Sequence, residues 1–340
     1  MIEREEETTL KQDELTSNEE APFEHGLRPR TLQEFVGQPH IKEHLAISMA
    51  AAKKRGDALE HILLHGNPGL GKTSLAHVIA EEMGAQVRVT SGPALERVGD
   101  LAAILSNLKA GDILFVDEIH RLNKSIEEVL YPAMEDYVLD IIVGKGPTAR
   151  TLRLSLEHFT LIGATTRLSM ISSPLRDRFT NTFHLEFYSD EDMEAILKRS
   201  AHLMHVTLHD DAARDLATRA RRTPRVGNRL LKHARDFSEV TADGTITQGL
   251  ALGALKMLDV DGRGLNRVDR QILSTMIEQF GGGPVGLQAL SSATGQEVET
   301  IEDVHEPFLL QTGLIERTPR GRKATREAYL HLQMTPNTIV

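Results

Sequence analysis

Apolar residues along the chain follow two rhythms. Short apolar-rich runs at 62–64, 113–116 and 159–165, and an alternating stretch at 87–90, have the length and composition of buried strands. Between them apolar residues recur every three or four positions, the helical period, at 74–83, 101–108 and 125–135. Strand and helix in alternation predict an α/β domain on a parallel sheet. An earlier helix, 41–55, places Ile41, Leu45, Met49 and Ala52 on one face. Asp100 starts the 101–108 helix, and Glu127 and Glu128 fall on the polar side of 125–135. Residues 139–143 and 150–156 surround Gly144-Lys145-Gly146-Pro147 and read as a hairpin. Its Ile and Val residues suit protein docking, and an ordinary edge ribbon is equally compatible.

From Asp190 no strand run appears for about seventy residues. Helices are expected at 191–204, with Ile196, Leu197, Ser200 and Leu203 inside, then at 210–221, 225–240 and 247–258. A polar linker, Asp259-Val260-Asp261-Gly262-Arg263-Gly264, follows. Three further helices (266–280, 286–293, 298–311) precede a strand at 313–315 and the turn Thr318-Pro319-Arg320-Gly321-Arg322. That is the order of a winged helix. The chain thus divides into a tail, 1–24, an α/β domain, 25–188, a helical domain, 189–260, and a winged helix, 261–340.

Composition changes this picture in one place. The net charge of −10 looks wrong for a nucleic-acid binder. Residues 1–24, however, carry nine acids against two bases, which leaves only −3 for all the rest. Within 316–326 five bases face Glu316 alone. The tail has little apolar surface to bury and is expected to be disordered. The basic ribbon turn would meet solvent in isolation; on a winged helix it points to DNA phosphates. With no cysteine, disulfides, Cys-ligated zinc and thiol chemistry are excluded. No apolar run approaches the roughly 18 residues of a membrane span, and the acidic start resembles no targeting signal, so a cytoplasmic location is expected.

The chemistry centres on Gly66-Asn67-Pro68-Gly69-Leu70-Gly71-Lys72-Thr73, a G-x-x-x-x-G-K-T loop between a strand and a helix. Its glycines let backbone N–H groups turn toward a phosphate, and the helix N-terminus adds its positive end. Lys72 would reach β- and γ-phosphates and the Thr73 hydroxyl would ligate Mg²⁺. The run Ile113-Leu114-Phe115-Val116-Asp117-Glu118 follows about 45 residues later. In such enzymes the first acid, Asp117, helps hold Mg²⁺ and the second, Glu118, polarises the attacking water. Pro174 opens a short helix carrying Arg176 and Arg178, which in a ring-forming ATPase would point into the neighbour's site. Arg221, Arg222 and Arg225 crowd the turn into the third helix of the helical domain, which Pro224 fixes at the first helical position; Arg225 could reach a γ-phosphate from a lid or stand solvated.

These residues, with Leu27-Arg28-Pro29, Asp117-Glu118-Ile119-His120-Arg121-Leu122, Tyr131-Pro132-Ala133-Met134-Glu135-Asp136-Tyr137, 163–167, 174–179, 282–287 and Arg317-Thr318-Pro319-Arg320-Gly321-Arg322, resemble the RuvB family. These are bacterial Holliday-junction branch-migration motors of the AAA+ class. The likeness runs from about 25 to 332. It implies an ATP-driven homo-hexameric ring on duplex DNA at four-way junctions, docked by RuvA through the 139–156 hairpin and working with the resolvase RuvC. It implies that Gly69, Leu70, Gly71, Lys72, Thr73 and Ser74 hold phosphates and Mg²⁺, that Leu27, Arg28 and Tyr188 frame the adenosine, and that Glu135, Asp136 and Tyr137 lie close to nucleotide. Thr165 would be a first sensor, Arg225 a second, and Arg178 an arginine finger acting on the adjacent subunit. Arg317, Arg320 and Arg322 would contact DNA. Asn67, Arg222, Leu168-Ser169 and Thr180 depart from the family pattern, Arg222 and Thr180 standing where glycine is usual. A clamp-loader-like ATPase, which would end in a helical collar, and an ATP-switched winged-helix regulator are the alternatives.

Overall fold

The helical period before the glycine loop is realised as α1 (Pro39–Arg55), which buries Ile41, Leu45, Met49 and Ala52 on one face as expected. The computed structural model describes residues 26–143 and 150–335; the acidic tail and the tip Gly144-Lys145-Gly146-Pro147 lie outside the described residues. These gather into two bodies, one running through Gly66 and then over Leu70–Glu186, the other holding Asn67–Gly69 and everything from Phe187 onward.

The first body alternates as its apolar rhythm predicts. After α1 come β1 (Ile62–His65), α2 (Lys72–Met83), β2 (Val87–Ser91), α3 (Val98–Leu105), β3 (Ile113–Asp117) and α4 (Lys124–Glu135). Then follow β4 (Val138–Val143), β5 (Arg150–Ser155), β6 (Thr160–Thr165), α5 (Ser173–Arg176) and β7 (Asn181–His184). Five strands form one parallel sheet in the order β2-β3-β6-β1-β7, while β4 and β5 pair antiparallel as a separate hairpin. β6 is buried along its whole length and β3 at all but Asp117, whereas the edge strand β2 exposes Arg88 and Val89. Leu114, Val116, Phe159 and Leu161 pack with Leu101, Leu105, Ile126 and Leu130 in the main core.

Two local expectations need correction, and one strand had no expectation at all. Asp100 does not cap α3 from outside. It sits in the helix's first turn, and its carboxylate reaches back to accept the Arg97 N–H at 2.9 Å. Glu127 is not on a polar face: it is buried, and its Oε2 accepts hydroxyl hydrogen bonds from Tyr131 (3.0 Å) and Ser172 (2.6 Å), which satisfy that oxygen away from water. The polar edge strand β7, with only Phe183 apolar, carries no run that a periodicity search detects.

In the second body α6 (Asp190–Leu203), α7 (Asp210–Arg219), α8 (Pro224–Thr241) and α9 (Gln248–Met257) form the expected helical domain. α6 turns Met193, Leu197, Ser200 and Ala201 inward, not Leu203, which stands 41% exposed at the last helical residue. The winged helix follows with α10 (Arg267–Glu278), α11 (Leu287–Thr294), α12 (Val298–Thr300), a π-helical segment Ile301–His305, α13 (Glu306–Gln311), the ribbon β8 (Ile315–Thr318) and β9 (Gly321–Ala324), and α14 (Arg326–His331). It replaces the helical collar that a clamp-loader reading requires. The expected single helix 298–311 widens because Pro307 has no N–H to continue the ladder. The segment's mouth buries two polar side chains, Glu306 and, beside it, His305.

Glu306, 1% exposed, fastens the ribbon from inside: Arg322 donates to both its oxygens (3.0 and 3.1 Å) and Arg317 to one (2.9 Å). Removing one partner of a buried pair leaves the other uncompensated, at a cost of about 3–5 kcal/mol. Glu306→Ala is therefore expected to lower the winged helix's unfolding free energy by about that amount in urea titration.

Candidate functional site

Parallel pairing brings the chemistry-bearing residues to one edge of the sheet. His65 at the end of β1 is level with Thr165 of β6 and His184 of β7, and Ser91 of β2 with Asp117 of β3. In open parallel sheets ligands bind beyond these carboxyl ends. Gly66 leaves β1 by donating its N–H to the Thr165 carbonyl at 3.2 Å. Its φ of +143° suits glycine, and a Cβ there would lie 2.6 Å from the Leu185 carbonyl oxygen. The loop then opens α2, whose N-cap is Gly71. Gly71 has no side chain to cap that helix and its first turn holds no acid. A helix N-terminus of this composition suits an anion. Lys72 is 7% exposed and donates to the Gly66 carbonyl at 2.7 Å, inside the loop it would serve. Leu70 is buried beside it; Thr73 and Ser74 are half-buried on the same turn.

Asp117, Glu118 and Thr165 adjoin this edge. Asp117 accepts the Glu118 N–H at 2.9 Å, and Glu118, at φ +46°, bonds Arg121 at 3.1 Å. Thr165, 1% exposed, accepts the Arg167 N–H and sits 2.9 Å from His120 Nδ1. No group of three or more His, Cys, Asp and Glu that could hold a metal occurs among the described residues. Thr73 and Asp117 would offer one hydroxyl and one carboxylate, a set that fits a mostly hydrated Mg²⁺ completed by phosphate and not a protein-caged metal.

Glu135, Asp136 and Tyr137 are elsewhere. Leu161 N–H donates to His61 Nδ1 (2.9 Å), so His61 Nε2 carries the proton and donates to the Met134 carbonyl at 3.1 Å. Tyr137 stacks on His158 at 4.0 Å. His61 and His158 precede β1 and β6, so these residues sit at the sheet's amino edge, roughly 13 Å of strand from the glycine loop of the same chain. Arg178 joins them: it donates to Glu135 (3.0 Å) and to the Pro174 carbonyl (2.6 Å), and its guanidinium lies 4.3 Å over the Tyr131 ring. The structure thus brings Arg178 and Glu135 together and separates both from their own P-loop.

Leu27 is buried and Arg28 half-buried in the first body. In the second, Tyr188 is 3% exposed and its N–H bonds the Arg222 carbonyl at 3.1 Å. Gly69 belongs to this second body: Arg225 N–H points to its carbonyl at 3.4 Å, and a Cβ on Gly69 would meet Thr223 Cγ2 at 2.8 Å. Arg221 and Arg222 have φ of +55° and +52°. Arginine at 222 therefore stands in a left-handed conformation that glycine adopts freely, at a cost of roughly 1–2 kcal/mol. On the ribbon Arg320 is exposed at the turn, Arg317 half-committed to Glu306, and Arg322 only 16% exposed and turned inward. The expected three-arginine DNA face is thus divided between an outward and an inward part.

Sequence reasoning missed the stacked pair His65–His184, 4.6 Å apart at 11°, directly before the glycine loop. His65 was visible as the residue preceding Gly66; its partner depends on the β7 register. Burial pushes the His65 ring from 6.5 down to about 4, with His184 and Lys72 adding to the effect. The unfolded chain then takes the proton near 6.5 while the folded ring resists it to about 4, so stability falls as pH drops through that window. His65→Phe should flatten the pH dependence of the urea midpoint between 6.5 and 4.

Comparison with known proteins accords with this geometry. Family models match in three consecutive blocks: the Holliday junction DNA helicase RuvB P-loop domain over 27–185, the RuvB AAA lid domain over 188–261 and the RuvB C-terminal winged helix domain over 262–333. The Holliday junction branch migration complex subunit RuvB of Dehalococcoides mccartyi (strain CBDB1) is 56% identical over 316 residues, 93% of this chain and 90% of that one. The protein of the same description from Chloroflexus aurantiacus (strain J-10-fl) is 56% identical over 317 residues, 93% and 91% of the two chains. Among solved structures, the Thermotoga maritima RuvB Holliday junction branch migration motor superposes with a TM-score of 0.82 at 48% identity, covering 91% of this chain and 99% of that one.

Proposed function

The chain belongs to the RuvB family, and we propose that it is the motor subunit of a branch migration complex, hydrolysing ATP to drive Holliday junctions along DNA. The observation that carries this reading is the row of Gly66, Asp117 and Thr165 at one sheet edge, beside an uncapped helix N-terminus, in a chain that ends in a winged helix with a basic turn. ATP is the substrate. The N–H groups of Gly69 to Ser74 cradle its phosphates, and Lys72 exchanges the Gly66 carbonyl for the β- and γ-oxygens. Thr73 and Asp117 would hold Mg²⁺, which would neutralise charge on the transferring phosphoryl group. Glu118 orients the attacking water, and Thr165 and Arg225 register the γ-phosphate. Leu27, Arg28 and Tyr188 flank the adenosine.

Arg178 acts on the next subunit of a ring, with Glu135, Asp136 and Tyr137 facing the same neighbouring nucleotide. Their position at the amino edge, away from their own P-loop, favours this. Each site is then shared by two copies of the chain in a homo-hexamer. The 25–188 domain hydrolyses, the 189–260 domain serves as lid, and the 261–340 domain grips duplex DNA. Arg320 and Arg317 meet phosphates there, while Arg322 holds the ribbon's shape on Glu306. The β4–β5 hairpin docks RuvA, and RuvC resolves the junction that the motor moves.

A branch-migration assay on a synthetic four-way junction, with and without RuvA, tests the whole reading. Lys72→Ala chains should not turn over ATP. Arg178→Ala chains should bind ATP normally yet hydrolyse it about 10³-fold more slowly. Mixing the two should recover part of the turnover, and no recovery at any ratio removes the trans placement of Arg178. Arg320→Ala should weaken duplex binding and reduce the slope of log affinity against log salt by about one.

A further inference from the structure

The turn that carries Arg225 makes contacts in two directions within the second body. Toward the glycine loop, Thr223 and Arg225 crowd Gly69 closely enough that a Cβ there would lie 2.8 and 2.9 Å from them. Toward the winged helix, Arg221 sends its side chain the other way. Its Nη2 donates to the Val304 carbonyl at 3.1 Å and lies 3.4 Å from Asp269 Oδ1, and its guanidinium sits 4.5 Å over the Phe308 ring. The Arg221 side chain is 10% exposed and Asp269 fully buried. Asp269 is itself held: Oδ1 bonds His305 Nδ1 at 2.7 Å, and Oδ2 accepts the Asn266 N–H that caps α10.

A buried ion pair adds little net stability, because desolvation offsets the attraction, but it admits only one geometry of good hydrogen bonding. A guanidinium placed at the junction of two domains is therefore suited to fixing their orientation. The linker between them is fixed as well. Arg270 donates to the Asp259 and Leu265 carbonyls (3.1 and 2.9 Å) and pairs with the Asp259 carboxylate at 2.5 Å, and His331 pairs with Asp261 at 2.8 Å.

We propose that Arg221 is a positioning residue that couples the nucleotide-facing turn of the lid to the DNA-gripping ribbon. The connection is continuous in named contacts. Gly69 touches Thr223 and Arg225; Arg221 of the same turn holds Val304, Asp269 and Phe308; Glu306, between Val304 and Phe308, holds Arg317 and Arg322 of the ribbon. A shift of the turn is passed on as motion of lid and winged helix together. The proposal rests on the motor reading above, in which that turn registers nucleotide and that ribbon grips DNA.

The test uses the full chain and two readouts. Because the chain has no cysteine, Val240→Cys on α8 and Gln288→Cys on α11, both exposed, accept spin labels at unique places. Pulsed electron–electron distance measurement should give one narrow distribution, which Arg221→Gln widens at least twofold. In unlabelled chains Arg221→Gln should leave DNA-free ATP turnover within twofold while the stimulation by duplex DNA falls at least fivefold, with part of it restored in Arg221→Lys. Phe308→Leu, which keeps the ion pair and removes the ring, should give an intermediate loss and covers the case in which Arg221→Gln folds poorly. An unwidened distribution, or undiminished DNA stimulation in both Arg221→Gln and Phe308→Leu, overturns the proposal. Turnover indifferent to DNA before any substitution overturns the motor reading instead, and the distance measurement then still decides the role of Arg221.

Discussion

Parallel pairing of five short strands is the constraint on which the candidate site depends. Strands that run in one direction end at one edge, and the register sets His65 level with Thr165 and Ser91 level with Asp117. Side chains far apart in the chain then reach a single sheet edge with no loop required to bring them together. The burial of β3 and β6 makes this register expensive to shift, since sliding either strand would expose residues such as Phe115 and Ile162. The same geometry divides the domain's chemistry. Whatever follows a strand faces the glycine loop, and whatever precedes one, including the Tyr137–His158 stack, faces away.

Much of this was legible beforehand because the apolar rhythm and the glycine motif report on the same element boundaries. β1, β3, β6 and α1 show it: each has a run or stripe dense enough to identify alone. What stayed hidden was hidden for definite reasons. β7 is held by its neighbour β1 and not by its own apolar content. Glu127 looks like a surface acid because helical phase cannot show that Tyr131 and Ser172 will satisfy it inside. Pro307 was visible, but not the π-helical segment that accommodates it. A trans-acting role for Arg178 is implied only by the resemblance to a known family; its pairing with Glu135 is a tertiary fact that no spacing encodes.

The second body is organised by buried charge more than by shape. Asp269, Glu306 and His305 lie within a small winged-helix core of Ile272, Leu273, Met276, Leu309 and Leu314. Each is paired: Asp269 with His305 and Arg221, Glu306 with Arg317 and Arg322. Apolar packing of this size tolerates several arrangements, whereas carboxylates that must each meet a particular guanidinium or imidazole tolerate few. The lid turn, the winged helix and the ribbon are in this way held to one mutual placement.

Glu306 and Arg322 also set an order of failure under rising ionic strength. Mobile ions weaken interactions between solvent-exposed charges and reach a pair shielded from water far less. Arg320 stands in solvent, whereas the Glu306–Arg322 pair does not. As salt concentration climbs, any anion contact made from the turn would weaken while the ribbon that presents Arg320 keeps its form. A turn that lets go in this way would bind again on dilution, with nothing to refold.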